Sequence, residues 1–174
     1  GDDNKAQEYY EKGAEIANET GDKMLQTYFL NNLSIIFSNR GENDKALKNM
    51  EEMLEIAEKL NDKKSLVFGY NNIGSVYQGK GELDKWFDYS KKALAVANEI
   101  EYKDGQGYAL SNIAGYHMMK EEYDIALQKF DQVLEIYKKL GDKQRQVNLY
   151  FRIGATYLSN KDSKKAFEMY SKAL

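Results

Sequence analysis

Three asparagines stand forty residues apart, Asn32, Asn72 and Asn112, and Arg152 continues the series at the same interval. An amide side chain offers a donor and an acceptor together. A row of amides can therefore hydrogen-bond an extended backbone, or tie one helix of an array to the next. Arginine adds a planar cation that can hold a carboxylate through two parallel bonds. Catalytic chemistry has less to draw on. His117 is the only histidine and there is no cysteine, which excludes a histidine-rich metal site, a thiolate site and a cysteine nucleophile. The acids Glu51, Glu52, Glu55, Glu121 and Glu122 fall on helix faces or turns with lysines nearby and read as solvated surface. No phosphate-loop, nucleophile-elbow or calcium-loop spacing occurs. The expectation is a protein that is not an enzyme, with no catalytic residue, no metal and no cofactor.

The forty-residue interval belongs to the whole sequence. Ten-residue blocks beginning at Tyr28, Phe68, Tyr108 and Asn148 align without a gap. A constant period of this kind predicts a solenoid, in which each unit buries its apolar face against its neighbours and the array presents an extended surface. Leu30, Leu33 and Phe37, followed by Ala46, Met50, Met53 and Leu54, recur at helical spacing and make each unit a helix pair. The first helix of that pair is expected to stop at Gly41, and the second to start near Asn43 or Asp44 as caps and to end at Asn61-Asp62. Gly21-Asp22 and Gly141-Asp142 repeat the turn chemistry. Glu101-Tyr102 has neither the glycine nor the aspartate, which predicts an irregular junction.

Summed along the sequence, this makes a single array over 1–174 with nine helices. Residues 1–22 are the second helix of a partial repeat, 23–62, 63–102 and 103–142 are repeats, and 143–174 is a truncated one. His117 occupies the offset of Phe37, Tyr77 and Tyr157 and reads as a core aromatic replacement. Trp86 stands where Ala46, Ala126 and Ala166 stand, while Ser90 replaces Met50, Phe130 and Tyr170 one turn later. Large and small have changed places, so the Trp86 ring is expected to be buried and to fill the space left at Ser90.

With 42% hydrophobic and 30% charged residues the protein is globular. A net charge of -3 carries no basic footprint, which argues against nucleic acid and against an anionic membrane as partner. The sequence has no apolar run of about 18 residues and no signal-like leader, so it is expected to be soluble. The compartment expected is the cytoplasm, or the periplasm if the array belongs to a bacterial sensor. Gly1 to Ala6 are in register with the turns that begin at Gly41 and Gly81, and Leu174 matches Leu134 inside a helix that runs on. A fragment of a longer protein with uncapped ends is the expectation, and Gly1 is either native or a tag scar.

Tyr70, Ile73, Gly74, Tyr77 and Gly81 in one repeat, with Ala126, Phe130 and Leu134 in the next, resemble the tetratricopeptide repeat (TPR) signature. The likeness extends over nearly all of the sequence. It departs from the family in its period, forty in place of the usual 34, and in putting Glu58, Asn98 and Lys138 where the family has proline. This longer form is similar to repeats of spindle-orientation adaptors and of bacterial peptide-responsive regulators and sensor kinases, and kinesin light chains carry a slightly longer relative. The resemblance implies an all-α, right-handed α-α superhelix, a TPR solenoid of antiparallel helix pairs, that holds a peptide or protein segment in a concave groove. It also implies that residues at the asparagine offset can hydrogen-bond the backbone of a bound peptide.

With Thr27, Val67, Gly107 and Val147 each counted as position 1, positions 2, 5, 6, 9, 12 and 13 fall within a sector of about 120°. That sector faces away from the partner helix of the same pair. The candidate peptide-binding residues lie on it: Tyr28, Asn31 and Asn32; Phe68, Asn71 and Asn72; Tyr108, Ser111, Asn112 and Met119; Asn148, Phe151 and Arg152. Arg152 is the only charged residue among the 24 positions, where the overall composition would place about seven, and loss of charge with gain of aromatics and methionine marks the centre of binding surfaces. Close packing of neighbouring first helices is the alternative, above all at Ile35, Ser75, Gly115 and Ala155. Four first helices would leave a groove of roughly 24–30 Å, enough for on the order of eight extended residues, which an amide ladder suits better than a helix. The function expected is a non-catalytic protein-protein interaction scaffold binding a peptide or protein segment. The alternative is a self-associating, homo-oligomeric or sensory TPR region of a larger regulator or sensor kinase.

Overall fold

The computed structural model describes residues 2–174, with side chains from Asn4 onward; Gly1, and with it the question of its origin, lies outside the described residues. Among these residues there are nine helices and no strand: α1 (Asp2–Thr20), α2 (Lys23–Asn39), α3 (Asn43–Lys59), α4 (Lys63–Gly79), α5 (Leu83–Glu99), α6 (Lys103–Met119), α7 (Tyr123–Lys139), α8 (Lys143–Ser159) and α9 (Ser163–Ala173). Helix starts recur every forty residues at Lys23, Lys63, Lys103 and Lys143. The protein forms two compact units, one ending at Val96 and one spanning Ala97–Leu174.

One turn type joins the helices, and α2 to α3 illustrates it. Gly41 takes φ +75°, its N–H bonds the Ser38 carbonyl, and the Glu42 N–H bonds that of Phe37. This Schellman motif satisfies the last orphan carbonyls of α2. Glycine adopts that φ without a steric penalty. The Glu101-Tyr102 junction, expected to be irregular, has the same bonds to Asn98 and Ala97, with Glu101 at φ +52°. A non-glycine residue there costs about 1–2 kcal/mol. Asn61, Glu121 and Lys161 take the same conformation.

Asp22, Asp62, Asp142 and Asp162 accept the backbone N–H three residues on and so cap α2, α4, α8 and α9. The cap expected at Asn43 or Asp44 is corrected. Glu42 holds the N-cap of α3 and makes no side-chain bond there, while Asn43 and Asp44 lie inside the first turn. Asp44 contributes only its charge near the positive helix end.

In the first unit Leu33, Phe37, Ala46, Met50, Ile73 and Val76 form the core, with Tyr10, Leu47, Tyr77 and Tyr89 packed against it. Trp86 is buried at 1% exposure and Ser90 completely, in keeping with an exchange of bulk between them. The Trp86 ring lies against Gly74, where an added Cβ would sit 3.3 Å from Cδ1, and its indole N–H finds no acceptor. In the second unit Ile113, Ala126, Phe130, Val133 and Ile153 are buried. Burying a large apolar residue of this kind contributes about 1.5–3 kcal/mol. His117 is mostly buried beside Tyr116, as its aromatic slot implies, and its Nδ1 also contacts the Glu122 carboxylate, so Glu122 is not a free surface acid.

Candidate functional site: two pockets on the first-helix faces

Each unit carries one pocket on the faces of its first helices. In the first unit, α2 and α4 put Tyr28, Asn31 and Phe68 around a cavity of about 280 Å³ whose lining also includes Met24, Met53 and Asp62. Tyr28 and Phe68 are 55% and 46% exposed, because helical periodicity turns them away from the core that Leu30 and Leu33 enter. Asn72 Nδ2 donates to Asn31 Oδ1 at 2.9 Å and so ties α4 to α2. Asn32 donates to the Tyr28 carbonyl of its own helix at 2.8 Å. Asn71 is buried and donates to the Val67 carbonyl of its own helix, so it does not face solvent.

In the second unit α6, α7 and α8 enclose a cavity of about 230 Å³ between Tyr108, Ser111, Asn112, Asn148 and Arg152. Sequence reasoning missed three of its walls, Tyr137, Arg145 and Leu149. Arg145 lies over the rings of Tyr108 and Tyr137, 5.4 and 5.5 Å from their centroids. Asp104 and Asp142 hold its guanidinium, and hydrogen bonding to Asp104 raises its pKa further. Burial pushes the Tyr137 phenol up, so Tyr137 is a neutral donor across the physiological range. Arg152 donates through Nη2 to the Ser111 carbonyl at 3.0 Å and lies 4.8 Å above the Phe130 ring. The residue as a whole is exposed, yet its guanidinium end is desolvated enough to lower its pKa. An arginine stays charged throughout.

The signal for Tyr137 was present in the sequence. Ala17, Ala57 and Ala97 fill its position elsewhere, and Gly107 replaces Thr27, Val67 and Val147. It is a second trade of large for small. A Cβ at Gly107 would meet Tyr137 Cε1 at 2.8 Å, so the ring lies directly on α6.

Two of the predicted residues stand apart from the pocket in the second unit. Met119 is exposed at the far end of α6, and Phe151 stacks obliquely on Tyr170 of α9 with centroids 5.9 Å apart. Ser111 is buried and contributes mainly its carbonyl. Both readings of the ladder keep some ground: Asn72 and Arg152 make bonds between first helices, while Asn112 and Asn148 line the cavity. No grouping of three or more histidines or acids among the described residues could hold a metal ion. No described helix is long and apolar enough to cross a membrane.

Helix pairs that repeat every forty residues, with apolar positions in register, define a helical-repeat protein. Family models described as tetratricopeptide repeat match residues 28–65, 69–99 and 106–174, and the chain belongs to that family. Its fold is an all-α TPR solenoid, of a class whose members are generally non-catalytic interaction scaffolds. No curated protein matches the sequence. Among solved structures, BtubC (BKLC) from P. vanneervenii is 20% identical with a TM-score of 0.85, the match spanning 99% of this chain and 72% of its own. A putative kinesin light chain of Podosopora anserina with TPR-like repeats is 15% identical with a TM-score of 0.73, over 98% and 85% of the two chains. PlcR of Bacillus thuringiensis, solved in complex with the peptide PapR7 and DNA, is 15% identical with a TM-score of 0.74, over 97% of this chain and 63% of PlcR. At these identities the likeness is one of fold.

Proposed function

We propose that the protein binds a peptide or protein segment on its first-helix faces, with aromatic side chains as anchors and amides as hydrogen-bonding partners. The observation that carries this reading is the exposure of Tyr28, Phe68 and Tyr108, each about half open beside a pocket on a face almost free of charge. Large exposed aromatics gain free energy when a partner covers them, the usual make-up of an anchor position. The peptide seen with PlcR is an instance of peptide binding by a protein of similar fold.

The test is selection of peptides from a displayed random library on the immobilised protein, followed by titration against Tyr28→Ala, Phe68→Ala and Tyr108→Ala. At least one substitution should weaken a selected peptide about tenfold or more. If all three variants bind every selected peptide as the parent does, the first-helix faces are not the site.

A second reading, self-association, has one observation in its favour. Phe167 on α9 is 73% exposed, whereas its equivalents Leu47, Phe87 and Leu127 are half-buried. Sedimentation velocity from low to high micromolar concentration distinguishes the two: a monomer at all concentrations, with a working peptide site, leaves only the first.

A further inference from the structure

In the forty-residue register, the pocket of the first unit is the pocket of the second moved back two repeats. Tyr28 stands for Tyr108, Asn31 for Ser111, Asp62 for Asp142, Ser65 for Arg145 and Phe68 for Asn148. In the second unit the protein fills this place with a guanidinium of its own. Asp142 caps α8 by accepting the Arg145 backbone N–H on Oδ1 at 2.9 Å, and its Oδ2 lies 3.1 Å from Nε of the same arginine. The guanidinium stands 5.4 Å from the centroid of the Tyr108 ring.

The first unit has the carboxylate and the ring without the cation. Asp62 caps α4 in the same way, accepting the Ser65 N–H on Oδ1 at 3.2 Å, and its Oδ2 accepts the Ser65 hydroxyl at 2.6 Å. A neutral hydroxyl satisfies one lone pair and leaves the carboxylate charge uncompensated. Asp62 is the one charged residue in the pocket wall, and Tyr28 and Phe68 stay 55% and 46% exposed. Two replacements separate the pockets further: Asp104 gives way to Met24, and Tyr137 to Ala57. One acid and one ring are lost, while Phe68 adds a ring where the second unit has the amide of Asn148.

We propose that the first-unit pocket takes an arginine side chain of the partner, with its guanidinium on the Asp62 carboxylate and against the rings of Tyr28 and Phe68. The inference rests on the peptide-binding reading above and deepens it. Charge selects a cation, because the wall holds a carboxylate and no basic group. Shape selects arginine over lysine. A planar guanidinium stacks on a ring while donating in its own plane to a carboxylate, as Arg145 does between Tyr108 and Asp142. An ammonium group is a compact, strongly hydrated point charge that cannot do both as well.

The experiment titrates the protein with tripeptides blocked at both ends and follows the backbone amide resonances of Tyr28, Ser65 and Phe68 by NMR. The central residue of the probe is arginine, lysine, citrulline or glutamate, flanked by alanines. The arginine probe should shift those resonances saturably, and the lysine probe should bind at least about threefold more weakly. Citrulline keeps the shape of arginine without its charge, and both it and glutamate should leave the resonances in place. Resonances around Tyr108 should not respond, since Arg145 already fills the equivalent position.

Asp62→Asn should weaken the arginine probe about fivefold or more while keeping a residue type that caps α4. Ser65→Arg gives the first unit the arginine of the second, which should occupy the pocket and abolish the response. Citrulline or lysine equal to arginine, no saturable shift with arginine, a matching response around Tyr108, or unaltered binding in either folded variant would each overturn the proposal. Selected peptides that depend on Tyr28 or Phe68 but bind Asp62→Asn as they bind the parent would remove the arginine site and leave the binding reading intact. An arginine probe that binds through Asp62 while no selected peptide depends on Tyr28, Phe68 or Tyr108 would do the reverse.

Discussion

The ring of Tyr137 rests on the backbone of Gly107, so close that a methyl group on that glycine would lie 2.8 Å from Cε1. Elsewhere in the sequence these two positions hold a β-branched residue and an alanine, as in Thr27 and Ala57. Moving the bulk from α6 to α7 puts a phenol and a π-face into the pocket wall, where Arg145 stacks on it. One exchange of volume thus created the site's chemistry.

That exchange is open to a mutant cycle. Gly107→Thr should destabilise the protein by about 1–3 kcal/mol through overpacking, and Tyr137→Ala by about 3–5 kcal/mol through a cavity. The double variant should be more stable than the summed losses imply by at least about 1 kcal/mol. Urea unfolding of the four proteins measures it, and strict additivity would mean that the two positions do not share space.

Trp86 is the only tryptophan, which makes its burial directly readable. Its fluorescence should be blue-shifted and poorly quenched by acrylamide. Trp86→Ala should cost about 3–5 kcal/mol. Trp86→Phe should cost less than about 2 kcal/mol, because the lost ring area is partly offset by removing a buried N–H that has no acceptor. A loss as large as that of the alanine variant would indicate an acceptor for the indole.

For the ladder, stability and affinity give separate answers. Asn72→Ala should cost about 0.5–1.5 kcal/mol of stability through its bond to Asn31, and Asn31→Ala should add little in the Asn72→Ala background. Together Asn72→Ala and Asn112→Ala should weaken a selected peptide by about 1–3 kcal/mol if each removes one net bond. Calorimetry on a folded double variant that binds at parent affinity would assign the ladder to the array alone.

Acid sensitivity should appear at the start of α9. The Lys165 backbone N–H, then its ammonium group, holds the Asp162 carboxyl below its ordinary pKa. A depressed folded-state pKa stabilises above the unfolded value of about 3.9, and that contribution fades as pH falls through the lower folded value. Asp162→Asn should therefore have a lower Tm than the parent at pH 7, with the gap closing as the pH falls below the unfolded value and the carboxyl protonates. A gap independent of pH would contradict the assignment.

Much of the fold could be read from residue order because its causes are local. The spacing of Leu30, Leu33 and Phe37 marks a buried helix face, and Gly41 or Asp62 marks an end. The reading failed where packing overrides a local signal. Glu101 adopts the turn that lacked its glycine, and α3 starts without the side-chain cap that the residue types of Asn43 and Asp44 suggest. At the site, the exposed aromatics were legible from helical phase alone. Arg145 was not, because in its own helix it looks like an ordinary surface cation.

By itself the amino-acid order determined the period, the helices, their stops and the nearly uncharged face, all of which follow from interactions within a few residues. Tertiary structure alone decided how the polar groups on that face are used. Asn31 with Asn72, Asp104 with Arg145, and Ser111 with Arg152 each meet across 41 residues. Such pairs exist only once neighbouring first helices lie side by side, since no local rule tells an amide or a guanidinium which distant partner will arrive within about 3 Å.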